Sequence, residues 1–258
     1  MIKMKSAYCG LALAFASAPA AAADMTQPRP VVVESGWNYQ VTLDGWLAGL
    51  NGDVAVRGLP AAAVDVSPLE VLEDLDGVFA ASFQAVGDSW LLYTDFMWAK
   101  ISTDADVGPF GGTADFEQTQ IVATALVGYE IPINVENMQL YATGGLRYQH
   151  NRVQVDFDPV FFPAVSRSSS QSWVDPIVGL TMHYDITDKW FVDVMGDVGG
   201  FGVASDITLQ GTAVVGYNWT DTIATSFGYK ALYTDFQDGG FRYDATQHGI
   251  FTRLAVKF

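Results

Sequence analysis

Cysteine is almost absent from this chain: Cys9 is the single one in 258 residues. It lies within the N-terminal apolar stretch, not after it, where a lipoprotein cysteine would stand. Disulfide scaffolds, cysteine-ligated metal and thiol chemistry are therefore excluded for everything downstream. Positive charge is scarce as well, with 13 Lys and Arg against 29 Asp and Glu and a net charge of −16. Such a chain repels phosphate backbones, which excludes nucleic acid as a partner. Past residue 23 no apolar run reaches the roughly 18 residues that a transmembrane helix needs. Yet half of the residues are hydrophobic and only 16% are charged. With no long runs to hold it, that hydrophobicity must be distributed by pattern.

The pattern is alternation with a period of two. Between Gln139 and Asn151, one parity reads Leu140, Ala142, Gly144, Leu146 and Tyr148; the other reads Gln139, Tyr141, Thr143, Gly145, Arg147, Gln149 and Asn151. The same split recurs at 117–131 and 206–219. Noisier versions are legible at 38–57, 77–86, 89–102, 172–185, 189–199, 222–235 and 246–258. That makes about ten strands, with eight as the alternative; Asn51-Gly52 is a possible hairpin turn inside the first. Short links near 87–88, 132–137, 187–188 and 220–221 alternate with long ones at 58–76, 103–116, 156–171, 200–205 and 236–245. An all-β, membrane-spanning, up-and-down antiparallel β-barrel alternates its tight turns and longer outer loops in this way. Aromatics near strand ends, Trp37, Tyr39, Trp90, Trp173, Tyr184, Trp190, Trp219 and Tyr233, fit girdles at the two interfaces.

Both ends carry addresses. Lys3 and Lys5 precede an apolar run from Ala7 to about Ala18, closed by Ala20 to Ala23. This is the three-part pattern of a secretory signal peptide, with cleavage read at Ala21-x-Ala23. Loss of Lys3 and Lys5 takes the net charge to −18 over the remaining 235 residues. At the other end Ile250, Leu254, Val256 and Phe258 share one parity. The expected plan is a signal peptide at 1–23, a periplasmic N-terminal segment at 24–36 and a β-barrel at 37–258. Its expected place is the bacterial outer membrane, reached through the periplasm.

On these features the chain resembles the small bacterial outer-membrane β-barrels, a grouping that includes OmpA-like and OmpW-like barrels. Its last strand, ending in Phe258, resembles the signal that such barrels present to the barrel-assembly machinery. The stretch Gly45 to Gly52, with Val64 to Ser67 and Leu72 to Asp76, is similar to a set of bacterial barrel proteins with no assigned activity. No functional residue carries over from them. The resemblance implies outer-membrane lipid and lipopolysaccharide as surroundings, and a monomer.

Candidate sites follow from parity. Asp44, Asp95, Glu130, Arg147, Asp175, His183, Asp193, Asp197, Lys230 and Arg253 are expected in the lumen. About ten strands enclose a space close to what side chains can fill, and buried charges must be paired. A plug is expected in which Arg147, Lys230 and Arg253 neutralise Asp175, Asp193 and Asp197. The alternative use of the same residues is a narrow cation-favouring path. In loop 58–76, Ser67-Pro68-Leu69-Glu70 reads as a capping box opening a short helix, with Val71, Leu72 and Leu75 on a face to be buried on the barrel rim. The apolar tip Val160 to Pro163 of loop 156–171 either meets lipopolysaccharide or a partner, or folds back over the barrel mouth.

A hydrolase or acyltransferase is a further alternative. Proteases of the omptin kind pair rim aspartates with a His-Asp couple, and lipid A-modifying barrels use His with Ser or Glu. His183 falls at the wrong end for this. His150 and His248 fall near the outer rim on the apolar face, with Asp104, Asp106, Asp206 and Asp244 near that rim too. No local motif joins them, so neither catalytic residues nor a cofactor or metal site is expected. The expected class is structural or surface-interacting.

Overall fold

The computed structural model describes residues 36–55, 62–106, 112–159 and 164–258. The expected signal peptide with Ala21 and Ala23, nearly all of the N-terminal segment, and the tip Val160 to Pro163 lie outside them.

Ten long strands carry the fold: β1 (Trp37–Ala55), β3 (Leu75–Gly87), β4 (Trp90–Asp106), β5 (Gly112–Glu130), β6 (Met138–Pro159), β7 (Val165–Asp185), β8 (Trp190–Gly200), β9 (Ile207–Asn218), β10 (Ile223–Asp238) and β11 (Phe241–Lys257). Between β1 and β3 lie a short strand, β2 (Ala62–Val66), paired back onto β1, and the one helix among the described residues, α1 (Pro68–Glu73). Each long strand pairs antiparallel with its sequence neighbour, and β11 pairs with β1 from Gln40↔Lys257 to Ala55↔Arg242. The ten long strands are thereby closed into a barrel, whose wall across the membrane needs no water to pair its backbone; only the short β2 keeps an outer edge along its whole length, since it pairs with β1 alone.

The turn end of the barrel holds both ends of the closed sheet, where Tyr39 and Phe258 exchange backbone hydrogen bonds at 3.0 and 2.9 Å. Asp88 (φ 51°) and Asn137 (φ 62°) supply left-handed backbone for turns at this end, as their short polar side chains permit. At the loop end the expected long links are largely strand. Strand β4 runs to Asp106, β6 to Pro159, and β7 starts at Val165 inside what composition marks as a serine-rich loop. The expected link 236–245 is a two-residue hairpin on Gly239 and Gly240, both at positive φ, as a tight primed turn requires. Asn51-Gly52 is not a turn: β1 runs straight through it.

The outward face is apolar. Val41, Leu43, Leu92, Phe96, Val127, Leu146, Val178, Leu180, Val215, Phe227, Ile250 and Leu254 all stand exposed on it. A continuous apolar surface of this kind belongs in lipid, not in water. Aromatic pairs ring its turn-end border: Trp90 edge-on to Tyr129, Trp190 and Trp219 edge-on to Tyr217, and Tyr39 stacked with Phe83 and Phe258. On β4 the band runs from Trp90 to Lys100, which for tilted strands is about 25 Å, the height of a barrel's hydrocarbon belt. Phe258, 69% exposed, continues the outward row of Ile250, Leu254 and Val256. One of the expected girdle residues is placed otherwise: Trp173 is only 5% exposed because its parity is that of Asp175, the lumen face. Tyr233 keeps the outward parity of Phe227 and Tyr229 and donates to Asp244.

Helix α1 has the expected capping box: Ser67 Oγ accepts from Glu70 N, and Ser67 N donates to the Glu70 carboxylate. Its expected buried face is not buried. The helix has six residues, none of them buried; Leu72 is 52% exposed, and Leu75 already belongs to β3. So short a helix has no full apolar stripe to present.

Candidate functional site: the barrel lumen

Every second residue of each strand points inward, so the lumen is filled in successive layers. At the turn end lies a cavity of about 450 Å³, whose lining includes Gln40, Gln84, Tyr93, Tyr141, His183 and Phe191. On its wall Arg253 donates through Nη1 to Asp193 at 3.2 Å, while its Nε stays 3.9 Å from Asp44. Asp193 also meets His183 Nδ1 at 2.6 Å, and His183 Nε2 is 3.3 Å from Asp185. Lys257 reaches Asn218 at 2.8 Å across the face of Phe191.

Above the cavity Lys230 lies over two rings, 5.0 Å from the centroid of Trp46 and 5.4 Å from that of Phe251. The next layer is buried. Arg147 has no exposed surface; its Nη2 donates to Asp197 at 2.8 Å and its Nη1 to Thr208 at 3.3 Å. Beside it Asp175, equally buried, accepts from Ser205 N at 2.8 Å and Ser205 Oγ at 2.6 Å. Ser205 belongs to the β8–β9 connection. Gly200, Phe201 and Gly202, all at positive φ, turn this connection so that Ser205 is buried while Phe201 and Val203 stay exposed. Amides fill the rest of the layer: Gln149 with Thr234, and Gln120 with Gln247 in reciprocal bonds of 2.9 and 2.7 Å.

At the loop end an aromatic cluster lies on the lumen face. Trp173 stacks on Phe236 at 4.1 Å between centroids and 7° between planes. Phe241 and Tyr243 tilt against Trp173, and Leu50 and Ala245 complete the cluster.

The expected pairing of charges is met in part. Arg147 finds Asp197 and Arg253 finds Asp193. Asp175 takes no cation; it binds Ser205 instead, although Arg147 is its cross-strand neighbour. Lys230 is held by rings and forms no ion pair among the described residues. Asp95 lies inward as expected and likewise forms no ion pair there. Glu130, half-buried at the turn end, donates its backbone N–H to Ser89 and forms no ion pair among the described residues. The rim histidines face hydroxyls: His150 Nδ1 is 2.7 Å from Ser172 Oγ, and His248 Nδ1 is 2.6 Å from the Tyr229 hydroxyl. Asp244 turns to Arg242 at 2.7 Å. Ser205, Trp46, Phe251 and the Trp173 cluster were not anticipated. Parity alone marks Trp46, Phe251, Trp173 and Phe236 as inward; nothing periodic marks Ser205.

No protein-family model and no curated protein matches the chain. Among solved structures, the outer membrane protease OmpT from Escherichia coli aligns over 88% of this chain and 98% of its own at 10% identity, with a TM-score of 0.54. This is an outer-membrane-type β-barrel. The translocator domain of the autotransporter NalP from Neisseria meningitidis covers 88% of this barrel and 90% of its own chain at 11% identity and a TM-score of 0.46. Neisserial surface protein A covers 87% and 98% at 16% identity and a TM-score of 0.34. At such identities the likeness concerns the barrel's fold and carries no chemistry to its residues.

Proposed function

We propose that the protein is an outer-membrane barrel of structural or surface-interacting type with a lumen that does not conduct. The observation that carries this reading is the buried layer of Arg147, Asp197, Asp175 and Ser205 beneath the stacked Trp173 and Phe236. Ions crossing would have to break a buried pair and part an aromatic stack. The turn end faces the periplasm and the loop end the exterior, as barrels with tight turns on one side are arranged. The chain is exported through the periplasm, inserted by the assembly machinery through the row ending in Phe258, and sits as a monomer among lipid and lipopolysaccharide. The hydroxyl partners of His150 and His248 support a non-enzymatic role: among the described residues each ring faces a hydroxyl and not the carboxylate that would orient a general base.

A small cation-favouring channel is the second reading, favoured by the turn-end cavity and the acidic excess of the lumen. Planar-bilayer recording separates the two. The purified barrel is expected to give no single-channel steps. Steps whose size changes on Arg147→Met or Asp193→Asn would overturn the closed lumen.

A further inference from the structure

The wall of the barrel is not of one height. Strands β6 and β7 have 22 and 21 residues, but β8 and β9, which follow, have only 11 and 12. From Asp185↔Phe191 upward, β7 pairs with β8 only as far as Ile177↔Gly199. Its other side stays paired with β6 up to Phe157↔Val165. Ser166 to Ser172 therefore form a sheet edge with no strand beside it among the described residues. This stretch stands above the hydrocarbon belt. Val174 is the last outward apolar residue of β7 above the girdle residue Tyr184, and no side chain from Ser166 to Ser172 is apolar.

Such an edge is about 23 Å long, at roughly 3.3 Å per residue. Every second residue directs its N–H and C=O to the open side. Natural edges are blunted by proline, bulges or rows of charge. Here there is no proline, the one charge is Arg167, and the register with β6 is unshifted. The serines are too small to shield the backbone and too polar to draw in apolar surfaces.

A second copy does not fit this edge. Two barrels in one membrane stand with the same end outward, so a twofold axis along the membrane normal crosses their β7 strands at about twice the strand tilt, roughly 70–90°. Neighbours in a sheet are rotated by only about 20–25°. Charge says what does fit. Arg167, on the edge strand, is exposed and donates only to the Ser166 carbonyl at 3.1 Å. Arg152 of β6, the cross-strand partner of Ser170, is exposed and forms no ion pair among the described residues; small Ser170 leaves it room to reach past β7. Asp156, opposite Ser166, accepts from Gln154 at 2.8 Å. Asp115 and Asp104 continue its row on β5 and β4. At about 4.8 Å per strand they stand roughly 14 and 19 Å from an added strand, beyond the screening length of about 8 Å.

We propose that the β7 edge from Ser166 to Ser172 binds an extended, polar, acidic segment of an extracellular partner protein as an added β-strand. Backbone hydrogen bonds would supply the affinity, and carboxylates set against Arg167 and Arg152 the selectivity. The proposal rests on the orientation with the loop end outward, and not on whether the lumen conducts.

The probe is a fluorescein-labelled decapeptide of alternating threonine and glutamate. It is titrated into the purified barrel in detergent micelles and followed by fluorescence anisotropy and by hydrogen exchange at Ser166 to Ser172. Saturable binding is expected, with half-saturation at or below about 1 mM, the weak end of specific recognition. At about ten times that concentration the open-side amides should exchange about tenfold more slowly, while those paired with β6 stay unchanged. Arg152→Gln and Arg167→Gln should each weaken binding about two- to fivefold, the worth of an exposed ion pair. The same peptide with lysine for glutamate, or N-methylated throughout, should bind about tenfold weaker or less, having lost the charge match or the backbone donors. No saturable binding by the wild type, equal binding of the N-methylated peptide, or equal or tighter binding of the lysine peptide overturns the proposal. So does protection of Ser166 to Ser172 that grows with barrel concentration alone, because it puts a second copy on the edge. Binding in micelles without staining of intact cells that carry the barrel would fault the orientation and leave the edge standing.

Discussion

Arg147 and Lys230 are both buried cations on the inner wall of one barrel, yet the two halves of the lumen hold them by different means. In the loop half Arg147 is bonded to Asp197 and Thr208, flanked by Asp175 on Ser205, and roofed by the Trp173 stack. Arg147, Asp197 and Asp175 each have a fixed partner there, although Arg147 Nε and Asp197 Oδ1 are left without one. In the turn half Lys230 rests on Trp46 and Phe251, Asp44 and Asp95 keep oxygens without a hydrogen bond, and a cavity opens below. The difference teaches that one lumen can be specific at one end and permissive at the other. Bonds replace solvent where the space is filled; rings and water suffice where it is not.

The largest expected effect breaks the loop half. Arg147→Met strands Asp197 without its cation and should cost about 3–5 kcal/mol, the range for breaking a buried pair. Urea unfolding in micelles, followed by tryptophan fluorescence, reads it. Adding Asp197→Leu should recover most of the loss, because well-packed apolar residues replace such pairs at little cost. Lys230→Met should cost only about 2 kcal/mol, the scale of a desolvated cation–π contact. Equal losses for the two cations would erase the contrast between the halves.

Next comes the roof. Trp173→Ala removes the ring stacked on Phe236 and should cost about 3 kcal/mol. It should also admit small solutes to the layer beneath, seen as faster hydrogen exchange at Ser205, whose amide donates to Asp175. Unchanged exchange there would mean that the roof does not seal the buried layer.

The smallest effect lies outside the barrel wall. Hydrogen bonds from the Ser67 hydroxyl and backbone hold the exposed Glu70 carboxyl below its ordinary range. A carboxyl lowered on folding stabilises its surroundings above its unfolded pKa and loses that contribution as pH falls through the lowered value. Helix α1 should therefore keep its amide protection from neutral pH down through the usual glutamate range and fray below it. Glu70→Gln should flatten this dependence in amide exchange, while leaving the lumen layers unchanged.

The face of each residue was legible from alternation. Gln139 to Asn151 alone predicts that Arg147 points inward and Leu146 outward, and the strand count follows from repeating that reading. Strand length was not. Ser166 to Ser172 has the composition of a loop, but β6 stands opposite and pairs with it, as at Val153↔Ser169, and backbone pairing outweighs side-chain preference. The candidate site was legible as a set of inward charges and illegible as a set of bonds. Asp175 sits opposite Arg147 in register, which made a pair the natural expectation. Ser205 won because positive-φ residues turn the β8–β9 connection over the lumen.

Sequence alone thus determined which side of the wall each side chain occupies, because a strand's period of two needs no knowledge of its neighbours. Which inward groups meet was decided only when the sheet closed. Arg147 and Asp197 are 50 residues apart, and Gln120 and Gln247 are 127 apart. Tilt and stagger of the closed strands bring such residues to one height across the lumen, and no local pattern in the chain encodes that height.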